Sequence, residues 1–212
     1  MIKRWIGKAF LRIAGWKMYG DRPPVDRYVI IAAPHTSNWD MPFMLAMAFV
    51  YDIPVRWMGK NTMFKAPFGP FFKALGGIPI VRNRPGGFVG QMVEHFENNE
   101  SLVLMVPAEG TRSHVGYWKS GFYHIARGAN VPVVLSYLDF GKKVGGVGPA
   151  IELTGDFRAD MDTIREFYFD KEGFHPEKVG VIRLREEDVA ELVSHDGSGH
   201  EEIERLAGGC NI

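Results

Sequence analysis

The sequence has one cysteine among 212 residues and no uncharged apolar run long enough to cross a membrane. The single thiol, Cys210, excludes an internal disulfide and fits a reducing, cytosolic setting. A membrane-spanning helix needs roughly 18 consecutive apolar residues. We therefore expect a soluble or peripheral protein with no spanning helix and no cleaved signal peptide.

The sequence also lacks the signatures of several catalytic and cofactor sites. The seven histidines include no His-Glu-x-x-His pair, and no Cys/His cluster has zinc spacing. There is no Gly-x-Ser-x-Gly motif, and the glycine-rich residues 141–148 lack a phosphate-binding signature. We therefore expect no metal site and no bound cofactor.

The composition is that of a folded protein with one core. Hydrophobic residues make up 46% of the chain and aromatic residues 13%, which excludes general disorder. Strand-like and helix-like segments alternate, which predicts a single α/β domain with a mostly parallel or mixed central sheet flanked by helices. We divide the chain into an N-terminal helix (residues 1–19), the α/β domain (20–184) and an acidic, helical tail (185–212).

The N-terminal segment is basic and amphipathic. The first twenty residues carry five positive charges and no acid, although the net charge of the whole chain is zero. This pattern is typical of a helix lying in a membrane interface, which predicts a peripheral protein on the cytoplasmic face of the cell membrane. The alternative is a helix that packs on the domain with its charges in water. The apolar residues recur at helical spacing: Ile2, Trp5, Ile6, Ala9, Phe10 and Ile13.

The remaining segments follow from periodicity and from turn residues. Apolar, β-branched runs predict strands, and longer apolar or amphipathic runs predict helices. We expect strands at residues 28–33, 55–58, 76–82, 102–106, 131–137, 151–153 and 179–184, and helices at 42–51, 90–99, 119–128 and 160–168.

Residues 60–75 are too rich in proline and glycine, between their aromatic residues, to form one regular helix. They are either a well-packed loop or an apolar wall beside a site, with lysines at its edges. In the second case Phe64, Phe68 and Phe71 line the path of an apolar substrate.

His35 and Asp40 lie between the first predicted strand and the helix that follows it. Five residues that span a loop and one helical turn can bring the two side chains together. The carboxylate then fixes the imidazole tautomer and stabilises the imidazolium, so the other ring nitrogen can take a proton from a hydroxyl. The alternative is that Asp40 only caps the helix and that His35 is structural.

Two further strands deliver charged residues at their ends. Arg82 ends residues 76–82, where a planar guanidinium can hold phosphate or carboxylate. The strand at 102–106 runs into Glu109 and Arg112, as open α/β folds present their chemistry. These two residues either form a structural ion pair, or Glu109 holds Arg112 toward an anionic substrate.

Taken in order, these segments resemble the lysophospholipid acyltransferase superfamily, the glycerolipid acyltransferases related to bacterial 1-acylglycerol-3-phosphate acyltransferase. Residues 35–40 match its His-x-x-x-x-Asp motif, and residues 77–82 are similar to its second block, which ends in arginine. Residues 109–113 match the Glu-Gly-Thr-Arg block, and 131–134 are similar to the fourth. The resemblance implies a glycerol-3-phosphate acyltransferase-like fold.

The resemblance also implies an activity and the residues that carry it. His35 is then the base that activates the acceptor hydroxyl, and Asp40 orients it. The acceptor phosphate binds to the arginines, in a pocket shaped by the third block. The donor is an acyl-CoA or acyl carrier protein thioester, the acceptor is a lysophospholipid, and nucleic acid is not a partner. The implied substrate-binding residues are Arg82, Glu109, Gly110, Thr111 and Arg112.

Three positions depart from the family pattern: Pro34 before the histidine, Ala108 before the glutamate, and Leu135 in the fourth block. None is a proposed reacting group, so they bear on the acceptor rather than on the reaction type. The competing functions are an acyl thioesterase that uses water, acylation of a non-glycerol lipid, and a non-catalytic lipid binder. A thioesterase has no use for an acceptor-phosphate pocket, which separates it from a transferase.

Overall fold

The computed structural model describes residues 2–80 and 87–188. Arg82 lies outside the described residues. So do residues 189–212, which are most of the predicted acidic tail. The first residues of that tail pack on the domain: Glu187 is buried, and its carboxylate pairs with Arg165 at 2.8 Å.

The described chain alternates strands and helices as the sequence predicts. The helices are α1 (Ile2–Ile13), α2 (Asp40–Tyr51), α3 (Gly69–Ala74), α4 (Gly87–Glu97), α5 (Gly121–Ala129) and α6 (Phe157–Tyr168). Short 3-10 helices cover Asn61–Phe64 and Pro176–Lys178. The strands are β1 (Lys17–Tyr19), β2 (Arg27–Ala33), β3 (Val55–Lys60), β4 (Gly77–Ile80), β5 (Leu102–Pro107), β6 (Val133–Asp139) and β7 (Val144–Ile151).

The strands form one mixed sheet in the order β1-β7-β6-β2-β5-β3-β4. All neighbouring pairs are parallel except β6 and β7. This confirms the predicted single α/β domain with a mixed sheet. The central strands β2 and β5 are neighbours, so the residues that follow them emerge side by side at the same edge of the sheet.

Both faces of the sheet are covered, which explains why β2 and β5 are continuous apolar runs. Val29 and Ile31 point toward the core that contains α4, α5 and α6. Tyr28 and Ile30 point to the opposite face, where Ala48 of α2 packs against them. A strand whose side chains alternate between two cores has no polar face.

Two predicted strands are wrong. Residues 179–184 are not a strand: the Val181 N–H donates to Val115 O at 2.9 Å, and the Arg183 carbonyl accepts from Trp118 N at 2.8 Å. These bonds tie the segment to an irregular loop instead of to the sheet. The strand expected at 151–153 instead ends at Ile151 and begins at Val144.

Part of the glycine-rich stretch lies in β7, and glycine is needed there because the neighbouring strand β1 approaches closely. A Cβ placed on Gly146 would lie 2.0 Å from the Tyr19 carbonyl oxygen, so only glycine fits there. The predicted N-terminal helix of residues 1–19 is too long, because α1 ends at Ile13 and residues 17–19 form β1. Three residues carry too little periodicity to be recognised as a strand.

Helix α1 packs on α2 and still exposes apolar side chains. Gly7 and Leu11 are buried against α2, and Trp16 packs on Phe43 with ring centroids 4.4 Å apart. Ile2, Trp5, Ile6 and Ile13 are 58–88% exposed. Among the residues that the structure describes, no helix is long and apolar enough to cross a bilayer.

Candidate active site

His35 and Asp40 meet at the carboxyl end of β2. His35 follows the strand by two residues, and Asp40 is the first residue of α2, where a carboxylate is favoured by the helix dipole. His35 Nδ1 lies 2.9 Å from Asp40 Oδ2. The carboxylate is buried, whereas the imidazole is a quarter exposed, so one ring edge remains open to the outside.

The same carboxylate oxygen shapes the turn. Asp40 Oδ2 also accepts the backbone N–H groups of Thr36 at 2.9 Å and Ser37 at 3.0 Å. An ionised carboxylate only accepts, so Nδ1 of His35 carries the ring proton and Nε2 keeps its lone pair. Asp40 therefore does not cap α2, whose N-cap residue is Trp39; its carboxylate holds the turn that precedes the helix and orients the His35 ring.

Glu109 binds the backbone of His35, and not the side chain of Arg112. It follows β5, the parallel neighbour of β2, and its Oε1 accepts the His35 backbone N–H at 3.1 Å. Glu109 is 1% exposed, and its Oε2 has no hydrogen-bond partner among residues 2–80 and 87–188. Burial raises the pKa of the Glu109 carboxyl, and the hydrogen bond from His35 partly opposes this rise. Neither arrangement that the sequence left open, an ion pair with Arg112 or a hydrogen bond that holds Arg112, is formed by Glu109 within the described part of the chain.

The rest of the third block is exposed. The Gly110 N–H donates to Pro107 O at 3.0 Å, with φ of +67°, and this tight turn leads the chain out of β5. Thr111 and Arg112 follow on the surface, and Arg112 reaches the rim of the cavity that contains His35. A cation thus lies at the opening near the imidazole.

That cavity is apolar and lies between α2 and the sheet. Its volume is about 290 Å³, near the lower end of the range of about 300–1,000 Å³ for small-molecule sites. His35, Asp40, Asn38 and Arg112 are among the polar residues that line it. The apolar wall is rich in methionine, a flexible side chain that adapts to varied apolar ligands: Met41, Met44, Met47, Met58, Met63 and Met105.

A family model described as Acyltransferase matches residues 17–136, more than half of the chain. The chain belongs to the Acyltransferase family. This match confirms the resemblance seen in the sequence blocks.

A solved structure shares the fold of this acyltransferase. The crystal structure of the 1-acyl-sn-glycerophosphate (LPA) acyltransferase, PlsC, from Thermotoga maritima superposes with a TM-score of 0.52. The two sequences are 16% identical, and the match covers 79% of this chain and 74% of the other. No curated protein sequence matches the chain. At this identity the structural match establishes the common fold.

The three aromatic residues predicted to form an acyl-chain wall do not themselves line this cavity of the acyltransferase. Phe64 is half-buried, with its ring centroid 6.0 Å from that of Trp57. Phe68 and Phe71 are 65% and 60% exposed. None of the three lines the cavity that holds His35. Arg82, the other predicted phosphate ligand, lies outside the described residues.

Sequence reasoning missed the methionine-lined cavity of the acyltransferase. Along α2 a methionine recurs every three residues, at Met41, Met44 and Met47. This spacing puts the three side chains on one face of the helix and could have indicated that this face lines a cavity. In the structure the N–H groups of His35, Thr36 and Ser37 are donated to carboxylates.

Proposed function

We propose that this acyltransferase moves a fatty acyl chain from an acyl-CoA or acyl carrier protein thioester to a lysophospholipid hydroxyl. The simplest acceptor is 1-acylglycerol 3-phosphate, with phosphatidic acid as the product. The observation that carries the proposal is the pairing of His35 Nδ1 with Asp40 Oδ2 at 2.9 Å, at an apolar cavity with an arginine on its rim. A base, an apolar pocket and a cation are the groups that this reaction needs.

The chemistry follows from the free lone pair on His35 Nε2. Nε2 takes the proton of the acceptor hydroxyl as its oxygen attacks the thioester carbonyl. The tetrahedral oxyanion collapses and breaks the carbon–sulfur bond, and the leaving thiolate receives the proton from the imidazolium. Asp40 stabilises the imidazolium while it exists. No covalent enzyme intermediate is needed, because a thioester already has a good leaving group.

The cavity and its rim suggest where the substrates bind. An acyl chain fits the apolar space between α2 and the sheet, where each buried methylene contributes about 0.8 kcal/mol. Arg112 at the rim offers a planar fork for the acceptor phosphate. Arg82, from the second block, is proposed for the same phosphate on the resemblance alone. Asn38 also lines the cavity, and its side-chain amide is the donor that we propose for the oxyanion.

We also propose that α1 holds the protein on the membrane as a peripheral protein. Its exposed apolar residues are not used in packing on α2, and the helix is basic. Trp5→Ser with Ile6→Ser should weaken binding to anionic vesicles and leave the unfolding temperature unchanged, because both side chains are exposed. Equal vesicle binding by the variant and the unmodified protein would remove this part of the proposal.

The reaction is tested by mass spectrometry of products. The protein and its His35→Ala variant are incubated with acyl-CoA, or with acyl carrier protein loaded with the same chain, and a panel of lysophospholipids. A new diacyl product formed only by the unmodified protein is the expected result. Free fatty acid without a diacyl product would replace the proposal with a thioesterase. Equal product from the His35→Ala variant would exclude the His35 mechanism.

A further inference from the structure

Residues 60–75, here called the aromatic segment, have one packed side and one exposed side. On the packed side, Phe64 and Phe72 lie against Trp57, with centroids 6.0 and 6.1 Å apart. On the other side, Phe68 and Phe71 are 65% and 60% exposed. Single exposed apolar residues are common, but two phenylalanines within one short turn of chain form an apolar patch.

The segment is positively charged throughout. Lys60, Lys65 and Lys73 are all exposed. The sequence has no aspartate or glutamate between Asp52 and Glu94, so no acid close in the chain neutralises these lysines. Exposed aromatic rings interleaved with lysines fit an anionic lipid surface, where rings enter the interface and ammonium groups meet phosphates.

The aromatic segment lies at the active-site cavity. Met63, which is exposed, lines the same cavity as His35. Trp57 and Val55 are two residues apart in β3, so both point to the sheet face that α2 covers. Because Phe64 and Phe72 pack on Trp57, the segment lies on that face too, as does α1 through its packing on α2.

We propose that the aromatic segment is a second membrane contact, separate from α1, in which Phe68 and Phe71 enter an anionic bilayer beside the cavity opening. Lys60, Lys65 and Lys73 then lie at the level of the lipid phosphates. The cavity faces the bilayer, and an acceptor lipid reaches His35 without crossing water. The contact goes beyond acyl transfer and does not depend on which acceptor is used.

The first test places a reporter at the patch. Phe68→Cys in a Cys210→Ser background is labelled with an environment-sensitive fluorophore and mixed with vesicles of phosphatidylcholine and phosphatidylglycerol. The matched control is Phe169→Cys, because Phe169 is 80% exposed just after α6, on the opposite side of the sheet. We expect a blue shift for the label at 68 and none at 169. No shift at 68 while the protein sediments with the vesicles would overturn the proposal.

The second test measures the affinity for vesicles. Phe68→Ala with Phe71→Ala should bind about tenfold more weakly, whereas Phe169→Ala should bind as the unmodified protein does. The label at 68 should still shift in the Trp5→Ser, Ile6→Ser background once more lipid is added, because the two contacts are separate. If the fluorescence of the label at 68 shifts with acyl carrier protein and not with vesicles, the proposal is overturned and the patch binds that acidic protein instead.

Discussion

The backbone N–H of His35 donates a hydrogen bond to Glu109 Oε1 at 3.1 Å, across the ends of two neighbouring parallel strands. The Glu109 side chain is buried, and the imidazole of His35 is the base of the proposed reaction. Asp40 fixes the imidazole ring of His35, and Glu109 fixes the backbone that carries it. The two carboxylates thus hold one residue from two sides, and only the first is close to the reacting nitrogen.

Glu109 is therefore a positioning residue, and its substitution should lower kcat rather than raise KM. Glu109→Ala leaves the His35 N–H without an acceptor, which costs about 1–3 kcal/mol and should lower kcat roughly 5–150-fold. Glu109→Gln keeps an acceptor oxygen and should retain most of the activity. Steady-state kinetics over a range of pH decide the matter. A raised KM for the acceptor with unchanged kcat would place Glu109 in the substrate pocket instead.

The raised pKa of Glu109 predicts a pH-dependent stability. In the unfolded chain the carboxyl titrates near pH 4.5, and in the folded protein it titrates at higher pH because burial disfavours the ionised form. Between these two values the folded state holds a proton that the unfolded state has lost. The free energy of unfolding attributable to Glu109 therefore falls as pH rises through its folded pKa. Urea unfolding of the unmodified protein and Glu109→Gln should diverge there, and parallel pH curves would contradict this assignment.

The sequence was sufficient for the strands that deliver these residues, and not for their neighbours in space. The apolar runs of β2 and β5 are long and clearly bounded, so His35 and Glu109 could be placed at strand ends. That the two strands are adjacent depends on sheet order, which no local pattern encodes. The sequence left two arrangements open for Glu109, both with Arg112 as its partner, and Glu109 instead accepts from the His35 backbone, a neighbour that only the sheet order reveals.

The cavity could not be predicted either, because packing between α2 and five strands creates it. The methionines of α2 are typical of any buried helix, and the phenylalanines of residues 60–75 are the stronger local signal of an apolar wall. Local composition shows that a segment is apolar, but it does not show which side of the segment is covered. Phe64 and Phe68 are four residues apart, and one packs on Trp57 while the other is exposed.

Asp40→Asn tests the charge at the imidazole. The amide oxygen can still accept the N–H groups of Thr36 and Ser37, so the turn should persist. It cannot stabilise the imidazolium as a carboxylate does, and kcat should fall by about 10²–10⁴-fold. The matched control is Asp160→Asn, another buried aspartate, which binds Tyr123 and Thr154 away from the cavity. Equal losses in the two variants would indicate a general loss of folding.

Arg112 tests the acceptor phosphate. A charge-assisted hydrogen bond contributes about 1.5–3 kcal/mol, so Arg112→Ala should lower kcat/KM for a phosphate-bearing acceptor by roughly 10–150-fold. Arg112→Lys should recover only part of this, since an ammonium cannot form the planar fork. Hydrolysis of the thioester without acceptor is the internal control and should not change. An identical loss of kcat/KM for acceptors with and without phosphate would show that Arg112 does not bind the phosphate.

The length of the acyl chain distinguishes the cavity from the exposed aromatic residues. Ala48 lies in the C-terminal half of α2, is buried and lines the cavity, so Ala48→Leu should shorten the space available. Since each methylene contributes about 0.8 kcal/mol, every two carbons excluded should lower kcat/KM for long chains by roughly 15-fold, with short chains unaffected. Competition between acyl donors of different length measures this directly. If Phe68→Ala with Phe71→Ala shifts the preferred length and Ala48→Leu does not, the chain runs over the aromatic segment and not through the cavity.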